Sequence, residues 1–74
     1  MRDIDYGHIQ IKLKDFMEKE DISINRLACR AEMQRTQLKA YMNGEVQRVD
    51  LAVMARLCYV LECDLDDLLE YVKD

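Results

Sequence analysis

An all-α fold is what this chain predicts, and three observations predict it. Apolar residues recur at helical spacing along most of its 74 residues, there is no Pro, and there are only two Gly. An all-β chain of this size would need many more turn residues than that. Half of the residues are apolar and 35% are charged, a balance suited to a compact fold with a real core. With four Tyr, one Phe and no Trp, that core has to be aliphatic and Met-rich. So short a chain buries only about 60% of its unfolded surface, which leaves little room for a deep catalytic cleft. One domain spanning residues 1–74 is expected, with residues 1–6 a frayed start.

The first helix is expected from Ile9, Leu13, Phe16 and Met17, spaced i, i+4, i+7, i+8, with Gln10, Lys12, Lys14, Asp15, Glu18 and Lys19 on the other faces. The run IQIKLK also alternates with period two, the pattern of a strand start. Ser23 is a favoured N-cap for a short second helix over about 23–31 carrying Leu27, Ala28 and Ala31. Met33 lies in a brief break. A third helix over 34–43 has an apolar stripe of Leu38, Tyr41 and Met42, and Asn43-Gly44 ends it, because Gly tolerates the left-handed conformation at a helix end. After the loop EVQRV, Asp50 caps a fourth helix in which Leu51, Met54, Ala55, Cys58 and Leu61 share a face. Asp64, with Asp67 three residues on, resembles a capping box for a fifth helix bearing Leu65, Leu68, Leu69 and Val72.

The formal charge of −4 hides an asymmetry. Residues 24–48 hold Arg26, Arg30, Arg35, Lys39 and Arg48 against Glu32 and Glu45, a net of +3, whereas residues 49–74 come to −5. A polyanion responds to local field, not to the total. The three cysteines, Cys29, Cys58 and Cys63, form no CxxC pair, and His8 is the sole histidine, so reduced thiols are expected rather than a zinc finger. Cys58 reads as a small core residue. Asp64, Asp66, Asp67 and Glu70 lack the Gly and alternating spacing of a calcium loop, and carboxylates are favoured at helix N-termini anyway. With one His, one Ser, one Thr and no Gly-rich phosphate cradle, no catalytic constellation appears, and neither enzyme activity nor a cofactor is expected. No apolar run reaches the roughly 18 residues of a membrane span, and MRDIDYGHIQ lacks the features of a secretion signal, so a cytoplasmic protein without membrane contact is expected.

The informative stretch is LACRAEMQRTQLKAY, residues 27–41. Two short helices joined by a tight turn carry apolar residues at 27, 28, 31, 33, 38 and 41. Small Ala28 allows close approach, and the larger side chains seal the angle, which frees the outer face of the second helix to enter a major groove. From about Ile22 to Leu69 the chain resembles the Xre/Cro-type helix-turn-helix regulators, the family of lambdoid phage repressors. Leu27-Ala28, the turn, the Leu38 and Tyr41 pair, Asn43-Gly44 and LAVMARLCYVLECDLDDLLEY carry the likeness.

The resemblance implies a five-helix, lambda-repressor-like DNA-binding domain with its helix-turn-helix at about 23–43. It implies a sequence-specific transcriptional regulator of double-stranded DNA, a repressor and a candidate homodimer with two half-sites about one helical turn apart. Arg35, Thr36, Gln37 and Lys39 fall where the family reads base edges, and Gln34, Asn43 and Arg48 fall at phosphate-contact positions. Their chemistry agrees: Arg grips guanine O6 and N7 with two donors, Gln pairs with adenine N6 and N7, and phosphate contacts position rather than specify. Three positions depart from the family. Glu32 stands where Gly is usual, so the turn either holds a left-handed non-Gly residue, at about 1–2 kcal/mol, or takes another shape. Ile24 replaces a Gln that opens the second helix, and Ala40 offers only a methyl. A modest, strongly salt-dependent affinity follows. Tyr59, Val60, Tyr71 and Val72 either form a dimer seam or cover the first helix. The rival reading is a protein-interaction module, antitoxin-like or regulator-binding, on the same scaffold without DNA readout; the acidic total and Glu32 favour it.

Overall fold

The computed structural model describes residues 6–73. Four α-helices, α1 (Leu13–Lys19), α2 (Ile24–Ala31), α3 (Arg35–Met42) and α4 (Leu51–Leu61), are flanked by two short strands, β1 (His8–Ile11) and β2 (Leu69–Val72). The strands pair antiparallel, with His8 opposite Val72 and Ile11 opposite Leu69. One core runs through the helices: Leu13 and Met17 of α1, Leu27, Ala28 and Ala31 of α2, Leu38 and Tyr41 of α3, and Val53, Met54, Leu57 and Leu61 of α4, with Met33 and Leu68 from the connections. Among the described residues no polar or charged side chain is buried, so core cohesion is apolar packing. No helix among the described residues is long and apolar enough to cross a membrane.

Two expectations of a five-helix, all-α chain are corrected. The first helix begins at Leu13, and the residues before it form β1. The period-two alternation of IQIKLK prevails there, leaving Ile9 59% exposed instead of on a buried helical stripe. The fifth helix does not form: Leu65–Asp67 is a single 3-10 turn, and the chain then extends into β2. The Asp64 and Asp67 capping box is real, with the Asp64 N–H donating to Asp67 Oδ2 at 3.0 Å, but it closes this short turn. Leu68 is fully buried and its carbonyl accepts from the Lys12 N–H at 2.7 Å. That bond commits the chain beyond it to pairing with β1, so a long-range ladder overrides the helical spacing of Leu65, Leu68, Leu69 and Val72. Lys12 Nζ lies 3.9 Å from Glu70 Oε1, and the Tyr71 hydroxyl donates to the Tyr6 carbonyl at 2.6 Å. The frayed start expected over residues 1–6 lies outside the described residues except for Tyr6, which this bond ties to β2. In α4 the buried stripe is turned from the expected one: Val53, Met54, Leu57 and Leu61 face the core, whereas Ala55 is exposed and Leu51 is 77% exposed.

The caps at Ser23 and Asp50 form as expected. The Ser23 hydroxyl accepts from the Arg26 N–H at 3.2 Å, and Asp50 Oδ1 accepts from the Ala52 N–H at 2.9 Å. All four α-helices end alike, with a left-handed residue followed by an N–H that reaches back five residues. Asp21, Glu32, Gly44 and Glu62 hold the left-handed positions. The returning bonds run from Ile22 to Met17, Met33 to Ala28, Glu45 to Ala40 and Cys63 to Cys58, at 2.9–3.1 Å. This Schellman closure satisfies carbonyls the helix end leaves open, and it turns the chain sharply enough for short connections. At the end of α4, burial and then the neighbouring Cys58, Asp67 and Asp64 push the Cys63 thiol up to about 11.

Three of these four left-handed residues are acids rather than Gly. Replacing Glu32 or Glu62 by Gly relieves the backbone strain, less the extra freedom Gly gives the unfolded chain. Each change should raise stability by about 0.5–1 kcal/mol, read as a higher midpoint in urea unfolding. Gly7→Ala should act in the opposite sense. Gly7 sits at φ +76°, and a Cβ there would collide with the Val72 carbonyl, so β1–β2 pairing should weaken and the thermal midpoint fall.

Candidate nucleic-acid interface

α2 and α3 form the helix-turn-helix. Glu32 adopts φ 55°, ψ 48°, so the turn keeps the left-handed geometry of a Gly position and carries the strain of a side chain there. Its carbonyl accepts from Arg56 Nη1 of α4 at 3.4 Å. Met33, the next residue, is buried and plugs the angle between the helices. Gln34 is the N-cap of α3 by backbone conformation, with no side-chain capping bond, so its amide stays available.

Burial sets the roll of α3. Leu38 is fully buried and Tyr41 nearly so, both packed in the core cluster that contains Leu27, Ala28 and Ala31. Their 38/41 spacing turns the remaining faces outward. Gln34, Arg35, Thr36, Gln37, Lys39 and Asn43 are exposed; Ala40 is half-buried. Arg35 and Lys39 give α3 two cations and no acid. Arg48, also exposed, stands in the loop before α4. That loop is anchored by the Asp50 N–H, which donates to the Tyr41 hydroxyl at 3.1 Å. The residue that seals α3 into the core thus also holds the segment carrying Arg48.

Six of the seven residues singled out from the sequence lie along α3 and its two ends, and Arg48 lies on the adjoining loop. Among the described residues, none of the seven side chains is engaged in a hydrogen bond or ion pair. Their donors face solvent, and among the described residues no cation of residues 24–48 forms an ion pair with the acidic C-terminal half.

A model of the Cro/C1-type helix-turn-helix DNA-binding domain matches residues 12–74. The chain belongs to that family. Its members bind DNA, and this protein is a DNA-binding transcriptional regulator of the Xre/Cro kind. It is 29% identical over 66 residues to an uncharacterised HTH-type transcriptional regulator, YozG, of Bacillus subtilis strain 168; the match covers 89% of this chain and 79% of the relative. The crystal structure of transcriptional regulator VanUg is similar in fold, with a TM-score of 0.69 over the whole of both chains at 18% identity.

One neighbour of this face went unread in the sequence. β1 lies alongside the C-terminal end of α3, and His8 and Gln10 share a shallow cleft with Met42, Asn43 and Gly44. The signal was the alternation of HIQIK. Ile24, which takes the place of a polar residue at the start of α2, is half-buried against the core, so it contributes packing there instead of a polar contact.

Tyr41→Phe tests the anchoring of the loop. It removes the acceptor for the Asp50 N–H while keeping the ring, so stability should fall by about 1 kcal/mol. In a domain of this size, that lowers the thermal midpoint by roughly 4–8 °C.

Proposed function

We propose that the protein is a cytoplasmic repressor acting as a single helix-turn-helix domain, with α3 inserted in the major groove of double-stranded DNA. Arg35, Thr36, Gln37 and Lys39 meet base edges, and Gln34, Asn43 and Arg48 meet phosphates. The observation that supports this is the exposure of all seven side chains on and beside a helix whose opposite face is locked in the core. Arg35 at the first position of α3 suits guanine, and Gln37 suits adenine. Repression follows from occupancy: a domain seated in a promoter groove excludes whatever would bind there next.

The active form is a homodimer bound across two half-sites about one helical turn apart. Leu51, Ala55 and Tyr59, at i, i+4 and i+8, run exposed along one side of α4, with Tyr59 85% accessible; this supports α4 as the seam. Tyr71 is bonded to Tyr6 across the N-terminal strand region, in keeping with a covering role for that residue.

Genomic fragments selected by the protein should share a short operator with two-fold symmetry. In gel-shift titrations Arg35→Ala should cost about 1–3 kcal/mol on that operator and relax preference at one base position. Arg48→Ala should weaken all sequences alike and reduce the salt slope by about 1. Equal binding to random DNA overturns base readout. No binding at low salt favours the protein-interaction module instead.

A further inference from the structure

The C-terminal end of α4 holds chemistry that DNA binding does not use. Cys58 is in the last turn of the helix and Cys63 follows its left-handed residue, and the Cys63 N–H donates to the Cys58 carbonyl at 3.1 Å. In a Schellman closure the side chains at these two positions meet, ordinarily as an apolar contact. Here both are cysteines, both half-buried and both free thiols. Cys29, the third, is exposed on α2. Cys58 and Cys63 line one open cleft together with Glu62, Asp64 and Arg30.

We propose that Cys58 and Cys63 form a two-thiolate site for a soft, thiophilic divalent metal ion of the Zn2+ or Cd2+ type. Soft thiolate sulfur selects such ions over Mg2+ or Ca2+. The carboxylates at this end of the molecule supply a negative field that suits a cation: Glu62 and Asp64 line the cleft, and Asp67 is held beside Asp64 by the capping box. The same field disfavours free thiolate, which makes the pair a poor nucleophile and distinguishes it from a peroxide-sensing cysteine. Binding is a displacement: each thiol loses its proton to solvent as its sulfur bonds the metal, with no change of oxidation state. This is not a zinc-finger arrangement, because only two protein sulfurs contribute and water completes the coordination. The metal would clamp the turn leading to Leu68 and β2, away from the exposed face of α3, so the site is independent of DNA readout.

The test uses the full chain, reduced with a phosphine and kept free of oxygen, titrated with cadmium chloride while thiolate-to-cadmium charge-transfer absorption is recorded. We expect saturation at one Cd2+ per chain, an unchanged curve for Cys29→Ser, loss of the band in the Cys58→Ser, Cys63→Ser double variant, and displacement of Cd2+ by excess Zn2+. The unaltered protein provides a second measurement that needs no variant. With Cd2+ bound, alkylation followed by mass spectrometry should modify Cys29 and spare Cys58 and Cys63, and a chelator should restore modification of all three. A band that survives in the double variant, an endpoint of one Cd2+ per two chains, or alkylation of Cys58 and Cys63 unaffected by Cd2+ overturns the site.

Discussion

Burying Leu38 and Tyr41 is the constraint on which the exposed cationic face of α3 depends. An isolated eight-residue helix such as α3 is marginal in water, so tertiary packing must supply its stability. The contact with Leu27, Ala28 and Ala31 supplies it and sets the roll of the helix in the same step. Once those two side chains are inside, Arg35, Thr36, Gln37 and Lys39 have nowhere to go but outward. Tyr41 extends the effect, because its hydroxyl holds the backbone at Asp50 and so positions the loop that carries Arg48.

The electrostatics follow from that geometry. A protein with a formal charge of −4 would be repelled by DNA if its charge were evenly spread. Here the cations cluster on the helix-turn-helix and its following loop, while the acids gather at the end of α4 and beyond. Over distances longer than about 8–10 Å, physiological salt screens the acidic end from the cationic face of α3. Glu32 is the acid in the turn that leads into α3. Its role in the fold is made by its backbone, in the left-handed turn and through the carbonyl that accepts from Arg56. The carboxylate itself makes no hydrogen bond or ion pair among the described residues and remains the element of the turn most open to replacement.

The helix-turn-helix was readable from the sequence because its determinants are local. Ser23 and Asp50 cap within three residues, Asn43-Gly44 ends α3, and the 27, 28, 31, 33, 38, 41 pattern names residues that are all buried. The polar face of α3 was readable for the same reason, since it is what remains when the apolar stripe is removed. The roll of α4 was less legible. LAVMARLCYVL is apolar on more than one side, so the spacing admits more than one buried stripe, and packing against α2 selected Val53 and Leu57 over Leu51 and Ala55.

The two ends of the chain were decided by each other. HIQI and LEYV are only four residues each, and the second lies within a run whose leucines have helical spacing. Neither segment has a local reason to extend that outweighs the alternatives. Their hydrogen bonds exist only when residues more than fifty positions apart meet, and that meeting is arranged by Leu68 in the core and its carbonyl on the Lys12 N–H. Local propensity, capping and periodicity therefore determined α1 to α3, the caps of α4 and the cationic face of α3. Strand pairing, the start of α1 and the roll of α4 belong to tertiary structure, because each depends on partners that only the folded chain brings together.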